Sequence, residues 1–275
     1  MNDSLSRRQL LGGLSATLVT GLATASVATG QQQQQQQQQG RPAADPFTYC
    51  LNTATIRGQG LSITEEVALA AKAGYGAVEP WINELERHVE KGGNLRDLGT
   101  RISDSGLRVA SAIGFAEWIV EDEGQRKKSL ERARRDMDMV RQIGGSYIAA
   151  PPAGATKVDI NLQRAAERYR ALLEIGAKIG VIPQLELWGF SRTLSRLGET
   201  ALVAIETGHP RACILADIFH LYKGGSDFSG VRLLSGAAMP TLHMNDYPAK
   251  PPRARVCRHS ETPAEVLIER LTTPR

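Results

Sequence analysis

The chain has 275 residues, of which 41% are hydrophobic and 23% charged, a composition typical of globular proteins. This composition excludes a collagen-like or wholly disordered chain, and three scattered cysteines without a C-x-x-C spacing exclude a disulfide scaffold. The net charge of +4 comes without a block of lysine or arginine and without a basic stripe carrying aromatic residues. We therefore expect no nucleic-acid partner.

The amino-terminal segment has the layout of an export signal. A polar start leads into Arg7 and Arg8, and a mildly apolar stretch rich in glycine, serine and threonine follows. Small residues suit cleavage after Ala25 or Ala28. We therefore predict a twin-arginine-type signal peptide over residues 1–28 and export to the periplasm or another extracytoplasmic space. The alternative is an uncleaved anchor, but so mild an apolarity predicts no stable membrane span after processing.

The next part of the chain is of low complexity. An uninterrupted run of glutamines from Gln31 to Gln39 marks residues 29–44 as a linker, to which we assign no chemistry. Residues 45–252 are predicted to form one domain, because strand-like and helical segments alternate throughout them. Residues 253–275 lack this alternation and form an atypical C-terminal tail.

The body of the chain alternates short strands with helices. Seven strands are predicted at about residues 49–56, 76–81, 107–115, 146–151, 181–188, 212–219 and 241–245. Helices are predicted at about residues 62–73, 95–105, 126–143, 159–179, 193–206 and 228–234, with Ser62 and Glu65 as a capping box for the first and Asp159 as the cap of the fourth. The spacing of about 30 residues per unit suits βα units, which build a parallel sheet covered by helices.

Two α/β folds satisfy this alternation, the doubly wound sheet and the (β/α)8 barrel. Seven regular units without an obvious second domain favour the TIM barrel. In a TIM barrel, the active-site residues lie at the carboxyl ends of the strands and in the loops that follow. Polar residues at those positions are therefore the candidates for catalysis and metal binding.

Polar residues stand at the predicted carboxyl ends of four strands. They are Glu79 on strand two, Glu186 on strand five, Asp217 and His220 on strand six, and His243 with Asp246 on strand seven. A buried carboxylate is costly unless a cation compensates its charge. Two carboxylates and an imidazole on adjacent strands could therefore bind one divalent ion, and such oxygen-rich ligation suits Mn²⁺, Mg²⁺ or Co²⁺.

Each of these residues also has a structural interpretation. Glu186 could pair with a buried arginine, Asp217 could cap a turn, and His243 could be a hydrogen-bonded core histidine. Taken one at a time, each structural interpretation is the more frequent one. Because all three stand at equivalent positions of adjacent strands, we predict that they share one site.

The chain resembles the sugar phosphate isomerase/epimerase superfamily, the xylose-isomerase-like TIM barrels, over about residues 49–252. The resemblance rests on the order and spacing of Tyr49-Cys50-Leu51-Asn52-Thr53, Ala77-Val78-Glu79-Pro80-Trp81, Gln184-Leu185-Glu186-Leu187-Trp188, Asp217-Ile218-Phe219-His220 and His243-Met244-Asn245-Asp246-Tyr247-Pro248. It implies a divalent metal held by a Glu, an Asp, a His and a further Glu on strands five to eight. The first three correspond to Glu186, Asp217 and His243, and His220 corresponds to a residue that contacts substrate.

The resemblance also implies a reaction. Relatives abstract a proton from the carbon next to a carbonyl, with the strand-five Glu, here Glu186, as the base and the metal polarising the carbonyl and adjacent hydroxyl. The implied activity is that of a metal-dependent isomerase or epimerase acting on a keto-sugar or cyclitol, or of a related lyase or dehydratase. Trp188 is the candidate for stacking on the sugar, and Glu79 is a further substrate-binding candidate.

The C-terminal tail departs from the family pattern. No glycine follows Gly236, and no apolar strand precedes Arg275. We therefore predict a barrel without a normal eighth strand, with open edges at strands one and seven and without the fourth metal ligand. The competing interpretation makes residues 254–258 a short eighth strand and Glu261 the substitute ligand.

Two other functions compete with the enzyme. A barrel without its eighth strand could be an inactive or sugar-binding remnant of the same family. The related abasic-site nucleases are a third class, but they need more metal ligands than five histidines in the whole chain readily supply. The predicted export also argues against a nuclease.

Overall fold

The structure, a computed structural model, describes residues 47–245. The predicted signal peptide of residues 1–28, the linker of residues 29–44 and the tail of residues 253–275 lie outside the described residues, as does any eighth strand after residue 245. Within the described part of the chain, no helix combines the length and the apolarity that crossing a bilayer requires.

Seven parallel strands follow one another in chain order. They are β1 (Cys50–Asn52), β2 (Ala77–Glu79), β3 (Arg108–Val109), β4 (Tyr147–Ala150), β5 (Ile182–Glu186), β6 (Ile214–Asp217) and β7 (Thr241–His243). Strands β1 to β3 pair in sequence, and so do β4 to β7. The two runs meet where the amide of Ala149 donates to the carbonyl of Ala112 at 2.8 Å. The curled parallel sheet confirms the predicted α/β barrel class, incomplete within the described residues.

Helices alternate with these strands. They are α1 (Ile63–Lys72), α2 (Ile82–Glu90), α3 (Leu95–Asp104), α4 (Glu123–Gln142), α5 (Leu162–Ile179), α6 (Leu197–Glu206) and α7 (Ile218–Gly224), with 3-10 helices at Thr53–Gln59, Phe228–Leu233 and Gly236–Ala238. Apolar residues recur at a spacing of three or four along α4, and this face points inward, since Ala133, Met137 and Val140 are buried. The helical periodicity in the sequence therefore identified the packed face correctly.

Local hydrogen bonds decide where the helices begin. The predicted capping box of α1 is confirmed, because the amide of Ser62 donates to Glu65 Oε2 at 2.8 Å. The predicted cap of α5 was wrong. Asn161, not Asp159, accepts the first amides of that helix, and Asp159 instead pairs with Arg192 at 3.5 Å.

All seven strands are shorter than predicted, and β1 and β6 end early because their last residues cap helical turns. Asn52 ends β1, and its side-chain oxygen accepts the amide of Ala54 at 3.0 Å. Asp217 ends β6 in the same way, with Oδ1 accepting the amide of His220 at 3.0 Å. The chain therefore turns into a 3-10 helix after β1 and into α7 after β6, where the apolar sequence alone predicted extended chain.

Helix α2 is absent from the prediction. Its first residue follows Trp81, which is not a residue that commonly caps a helix. The side chain of Glu84 supplies the missing partner by accepting the amide of Trp81 at 3.0 Å. Apolar side chains of α2 then pack inward, with Ile82 and Leu85 buried.

A buried tyrosine joins helix α5 to the sheet beneath the strand ends. The hydroxyl of Tyr169 lies 2.8 Å from the carbonyl oxygen of Pro183 in β5 and 3.0 Å from that of Cys213, the residue before β6. Leu172 and Leu173 of the same helix are also buried. Because β5 and β6 end in Glu186 and Asp217, the tyrosine helps to fix the register from which both carboxylates project.

We predict that Tyr169→Phe lowers the free energy of unfolding by about 1–3 kcal/mol, because a buried carbonyl loses its donor. Urea denaturation followed by circular dichroism measures the change. Tyr147→Phe, which removes the hydroxyl of a half-buried tyrosine in β4, is the matched control and is expected to cost less. A Tyr169→Phe protein as stable as the control would contradict this role for the hydroxyl.

Candidate functional site

Five ionisable side chains converge where the parallel strands end. Glu79, Glu186 and Asp217 are the last residues of β2, β5 and β6, His243 is the last residue of β7, and His220 lies in the first turn of α7. All but His243 are buried, and the side chain of His243 is only 15% exposed. The structure therefore brings together these five nominated residues, while Asp246 and Glu261, the substitute ligand of the competing interpretation, lie outside the described residues.

His243 lies between three carboxylates. Its Nε2 is 2.9 Å from Glu79 Oε2, and its Nδ1 is 3.4 Å from Asp217 Oδ2 and 4.0 Å from Glu186 Oε1. The sequence nominated Glu79 as a substrate contact, but its two carboxylate oxygens lie 2.9 and 3.1 Å from His243 Nε2. The position of Glu79 is that of a residue that orients an imidazole.

Two asparagines that the sequence did not nominate complete the carboxylate contacts. Asn52 Nδ2 donates to Glu79 Oε2 at 2.8 Å, and Asn245 Nδ2 donates to Asp217 Oδ1 at 3.1 Å. Asn52 stands at the end of β1, and Asn245 lies two residues beyond β7. A polar residue at a predicted strand end was the criterion that selected the acids, and it would have found Asn245 but not Asn52, which lies in the middle of the predicted first strand.

The donor atoms of this cluster fit a cation. One donor atom each from Glu186, Asp217 and His220 lies within 4.8 Å of the others. His220 Nδ1 is buried and has no hydrogen-bond partner among the described residues, which is costly for a polar atom. With His243 Nδ1 facing the same two carboxylates, two acids and two imidazoles are available, a donor set that suits a divalent metal.

The surroundings shift the pKa values of these groups in different directions. Burial, together with repulsion from Asp217 and Glu79, raises the pKa of Glu186 to about 8. Burial lowers the pKa of His220 to about 4, so this imidazole is neutral at neutral pH. Burial is the largest single influence and would lower the pKa of His243, but Glu79, Asp217 and Glu186 together outweigh burial and hold that pKa well above its ordinary value.

The same ion pair acts on its acidic members. Burial opposes ionisation of Glu79 and Asp217, yet the interactions with His243 bring the pKa of both carboxyls below the ordinary value. Without a bound cation, the imidazolium of His243 therefore supplies the positive charge between these carboxylates. Among the three carboxyls around His243, only Glu186, which lies farthest from the imidazole, has its pKa raised.

Aromatic residues flank the cluster. The ring of Trp188, the predicted sugar-stacking residue, lies 6.3 Å from the ring of His220 and 6.0 Å from that of Phe115. Phe115 and Phe190 were not predicted from the sequence. Phe115 is the last residue of the predicted third strand and Phe190 follows the predicted fifth, so the signal for each was its place at or just after a strand end.

A glycine holds the loop after β5 against helix α7. A Cβ added at Gly189 would collide with the carbonyl oxygen of His220 and with the amide nitrogen of Gly224. Trp188 precedes this glycine directly. The close backbone contact therefore fixes Trp188 relative to His220.

Comparison with known proteins identifies a matching family and solved structures of similar fold. The family described as the xylose isomerase-like TIM barrel matches residues 67–264. No curated protein matches the chain at significant similarity.

Solved structures share the fold at low sequence identity. A xylose isomerase-like TIM barrel/4-hydroxyphenylpyruvate dioxygenase fusion protein is 20% identical, with a TM-score of 0.67 over 74% of this chain, which spans only 32% of the fusion protein. The IolI protein, solved with a bound zinc atom, is 19% identical, with a TM-score of 0.66 over 74% of this chain and 75% of its own. The 3-keto-D-glucoside 4-epimerase YcjR from E. coli is 17% identical, with a TM-score of 0.57 over 67% and 74%.

We predict that Gly189→Ala displaces the loop after β5 and lowers the midpoint of thermal unfolding by several degrees, because neither backbone atom it meets can move independently. Gly198→Ala is the matched control. Gly198 lies in helix α6 with open space where its Cβ would be, so alanine is expected to be neutral or slightly stabilising there. Equal unfolding midpoints for the two variants would show that the contact at Gly189 does not constrain the loop.

Proposed function

The chain belongs to the xylose isomerase-like TIM barrel family, and on that premise we propose that it is a metal-dependent isomerase or epimerase of a keto-sugar or cyclitol. The proposed reaction removes a proton from a carbon next to a carbonyl and returns it at another position or face. The observation that carries the proposal is the convergence of Glu186, Asp217, His220 and His243 at one edge of the sheet.

We assign the metal to Glu186, Asp217 and His243. His243 turns Nδ1 toward both acids while its Nε2 contacts Glu79, and metal-binding histidines commonly have a carboxylate at the second nitrogen. Mn²⁺, Mg²⁺ and Co²⁺ suit a site with two carboxylates and one imidazole, and zinc is a fourth ion to test because IolI contains it. A bound divalent ion would polarise the substrate carbonyl and a neighbouring hydroxyl, which acidifies the C–H between them.

Glu186 is the proposed base. Burial raises the pKa of Glu186 to about 8 without a bound cation, and a cation at this site would favour the ionised carboxylate that can accept a proton. His243 lies 4.0 Å from the carboxylate and limits the cost of its negative charge. The neutral imidazole of His220, with its buried Nδ1, can bind a substrate hydroxyl beside the reacting carbon.

We further propose that the protein acts outside the cytoplasm on an unphosphorylated sugar or cyclitol. The support for this location is the pattern around Arg7 and Arg8 and the small residues that follow it. Lyase or dehydratase chemistry on a 3-keto-sugar begins with the same proton abstraction. The substrate panel for the activity test therefore includes a 3-keto-sugar.

We expect the protein to bind about one divalent ion and to gain about 5–10 °C in thermal midpoint at Mn²⁺ concentrations near 100 times its Kd. Glu186→Gln removes one anionic ligand and should abolish most of this gain. Metal analysis and thermal unfolding with and without Mn²⁺ measure both effects. Glu167→Gln is the control, since it makes the same chemical change at an exposed position on helix α5.

The metal experiment separates the two functions that the sequence left open. Metal binding that depends on Glu186 supports the enzyme. A Mn²⁺ response that is absent, or that is identical in Glu186→Gln and Glu167→Gln, would instead favour the inactive or sugar-binding remnant of the family.

We also expect the protein with metal to exchange the hydrogen next to the carbonyl of its substrate in D₂O. Proton NMR follows this exchange for a panel of ketohexoses, a 3-keto-glucoside and an inosose. Glu186→Gln should slow exchange about 10²–10⁴-fold, the usual contribution of a positioned base. Exchange that survives this substitution at the normal rate would assign the base to another residue.

A further inference from the structure

Four aromatic rings form a continuous wall beside the candidate site. The aromatic wall consists of Trp81, Phe115, Trp188 and Phe190. Its ring centroids are separated by 5.1 Å from Trp81 to Phe115, by 6.0 Å from Phe115 to Trp188 and by 5.2 Å from Trp188 to Phe190. These residues follow β2, β3 and β5, so the wall runs along the same edge of the sheet as the ionisable cluster.

The wall is open to solvent in a way that ordinary core packing does not explain. Phe115 is 39% exposed and Phe190 is 42% exposed, while Trp81 and Trp188 are half-buried. Large aromatic side chains that are contiguous and partly exposed commonly mark a binding surface. Here the surface lies beside buried charges, so a ligand on it can also reach the polar cluster.

Both ends of the wall touch residues of the site. At one end, the ring of Phe190 lies 5.5 Å from that of His220. At the other end, Trp81 Nε1 donates to Asn52 Oδ1 at 3.0 Å, and Asn52 in turn donates to Glu79. The wall therefore adjoins the ionisable cluster and is not a separate patch.

The far end of the wall is closed by a cation. The guanidinium carbon of Arg57 lies 4.6 Å from the centre of the Trp81 ring. Its stacking covers part of that ring and holds it in place. A ligand on the wall would consequently lie between Arg57 at one end and His220 at the other.

The length of the wall sets the size of the ligand. A pyranose ring has roughly the outline of one aromatic side chain and stacks on it through its C–H face. One sugar beside Trp188 reaches His220 but leaves Phe115 and Trp81 uncovered. We propose that the substrate is a glycoside, with the reacting sugar at Trp188 and a second ring, joined through a glycosidic bond, over Phe115 towards Trp81. This assignment rests on the proposed function, because it uses the same cluster as the reacting centre.

Isothermal titration of the full chain tests the second ring. The probes are methyl β-D-glucopyranoside, with one ring, and phenyl β-D-glucopyranoside and cellobiose, each with two. We expect the two-ring ligands to bind at least about threefold more tightly, which corresponds to one aromatic contact. Phe115→Ala should remove this difference, whereas Phe228→Ala, which changes an exposed phenylalanine on a 3-10 helix outside the wall, should preserve it.

Phe115→Leu distinguishes loss of stacking from loss of fold. Leucine keeps apolar bulk at the position, so this variant should unfold at the wild-type temperature and still lose most of the advantage of the two-ring ligands. Equal affinities for one-ring and two-ring ligands in the wild type, or no measurable binding of either two-ring ligand, would overturn the proposal. So would an unchanged ratio in a folded Phe115 variant.

Methyl and phenyl β-D-glucopyranoside are acetals without a free carbonyl, so the comparison between these two probes is independent of catalysis. Proton exchange on a single-ring ketose together with equal affinities for both ligand sizes would retain the proposed activity and remove the glycoside. A ring-dependent affinity without metal binding or exchange would retain the aromatic wall as a binding surface and remove the enzyme.

Discussion

The burial of three carboxylates at one edge of the sheet is the constraint on which this site depends. Glu79, Glu186 and Asp217 are each less than 10% exposed, so their negative charges are poorly solvated. His243 compensates part of this charge from between them. The remaining cost falls on Glu186, whose pKa is raised, and a cation bound there would lower that cost.

The contact between His243 and Glu79 also has a structural consequence. It joins the last residue of β7 to the last residue of β2, although the two belong to separately paired runs of strands and lie 164 residues apart in the chain. The ion pair therefore spans the site from one run to the other. The contact that compensates the charge of Glu79 therefore also links the run β1 to β3 with the run β4 to β7.

Several residues serve the backbone and the site at once. Asp217 uses Oδ1 to begin helix α7 and turns Oδ2 toward His243. Asn52 caps the 3-10 helix after β1, binds Glu79 and accepts a hydrogen bond from Trp81. Substitution at either position would disturb local structure and site chemistry together, which is why stability has to be measured beside activity for any variant of them. Capping a helix and contacting the site imidazole are therefore compatible for Asp217, although the sequence presented a cap and a site residue as alternatives.

The sequence by itself determined the class of fold and the acids of the site. The βα rhythm reflects hydrophobic periodicity, which is a local property, and parallel strands necessarily bring Glu186, Asp217 and His243 to one edge. Local capping interactions were harder to foresee, as α2 and the cap of α5 show, because several polar residues compete for the same amides.

Only the tertiary structure decided which residues meet across the sheet. The pairing of His243 with Glu79 and the alignment of Phe115 with Trp188 join segments that are distant in sequence. Such contacts depend on strand curvature and on loop paths, and neither leaves a periodic signal in the chain. Residue type and strand position could therefore nominate Glu79 for the site, but its role as the partner of an imidazole followed only from the folded geometry.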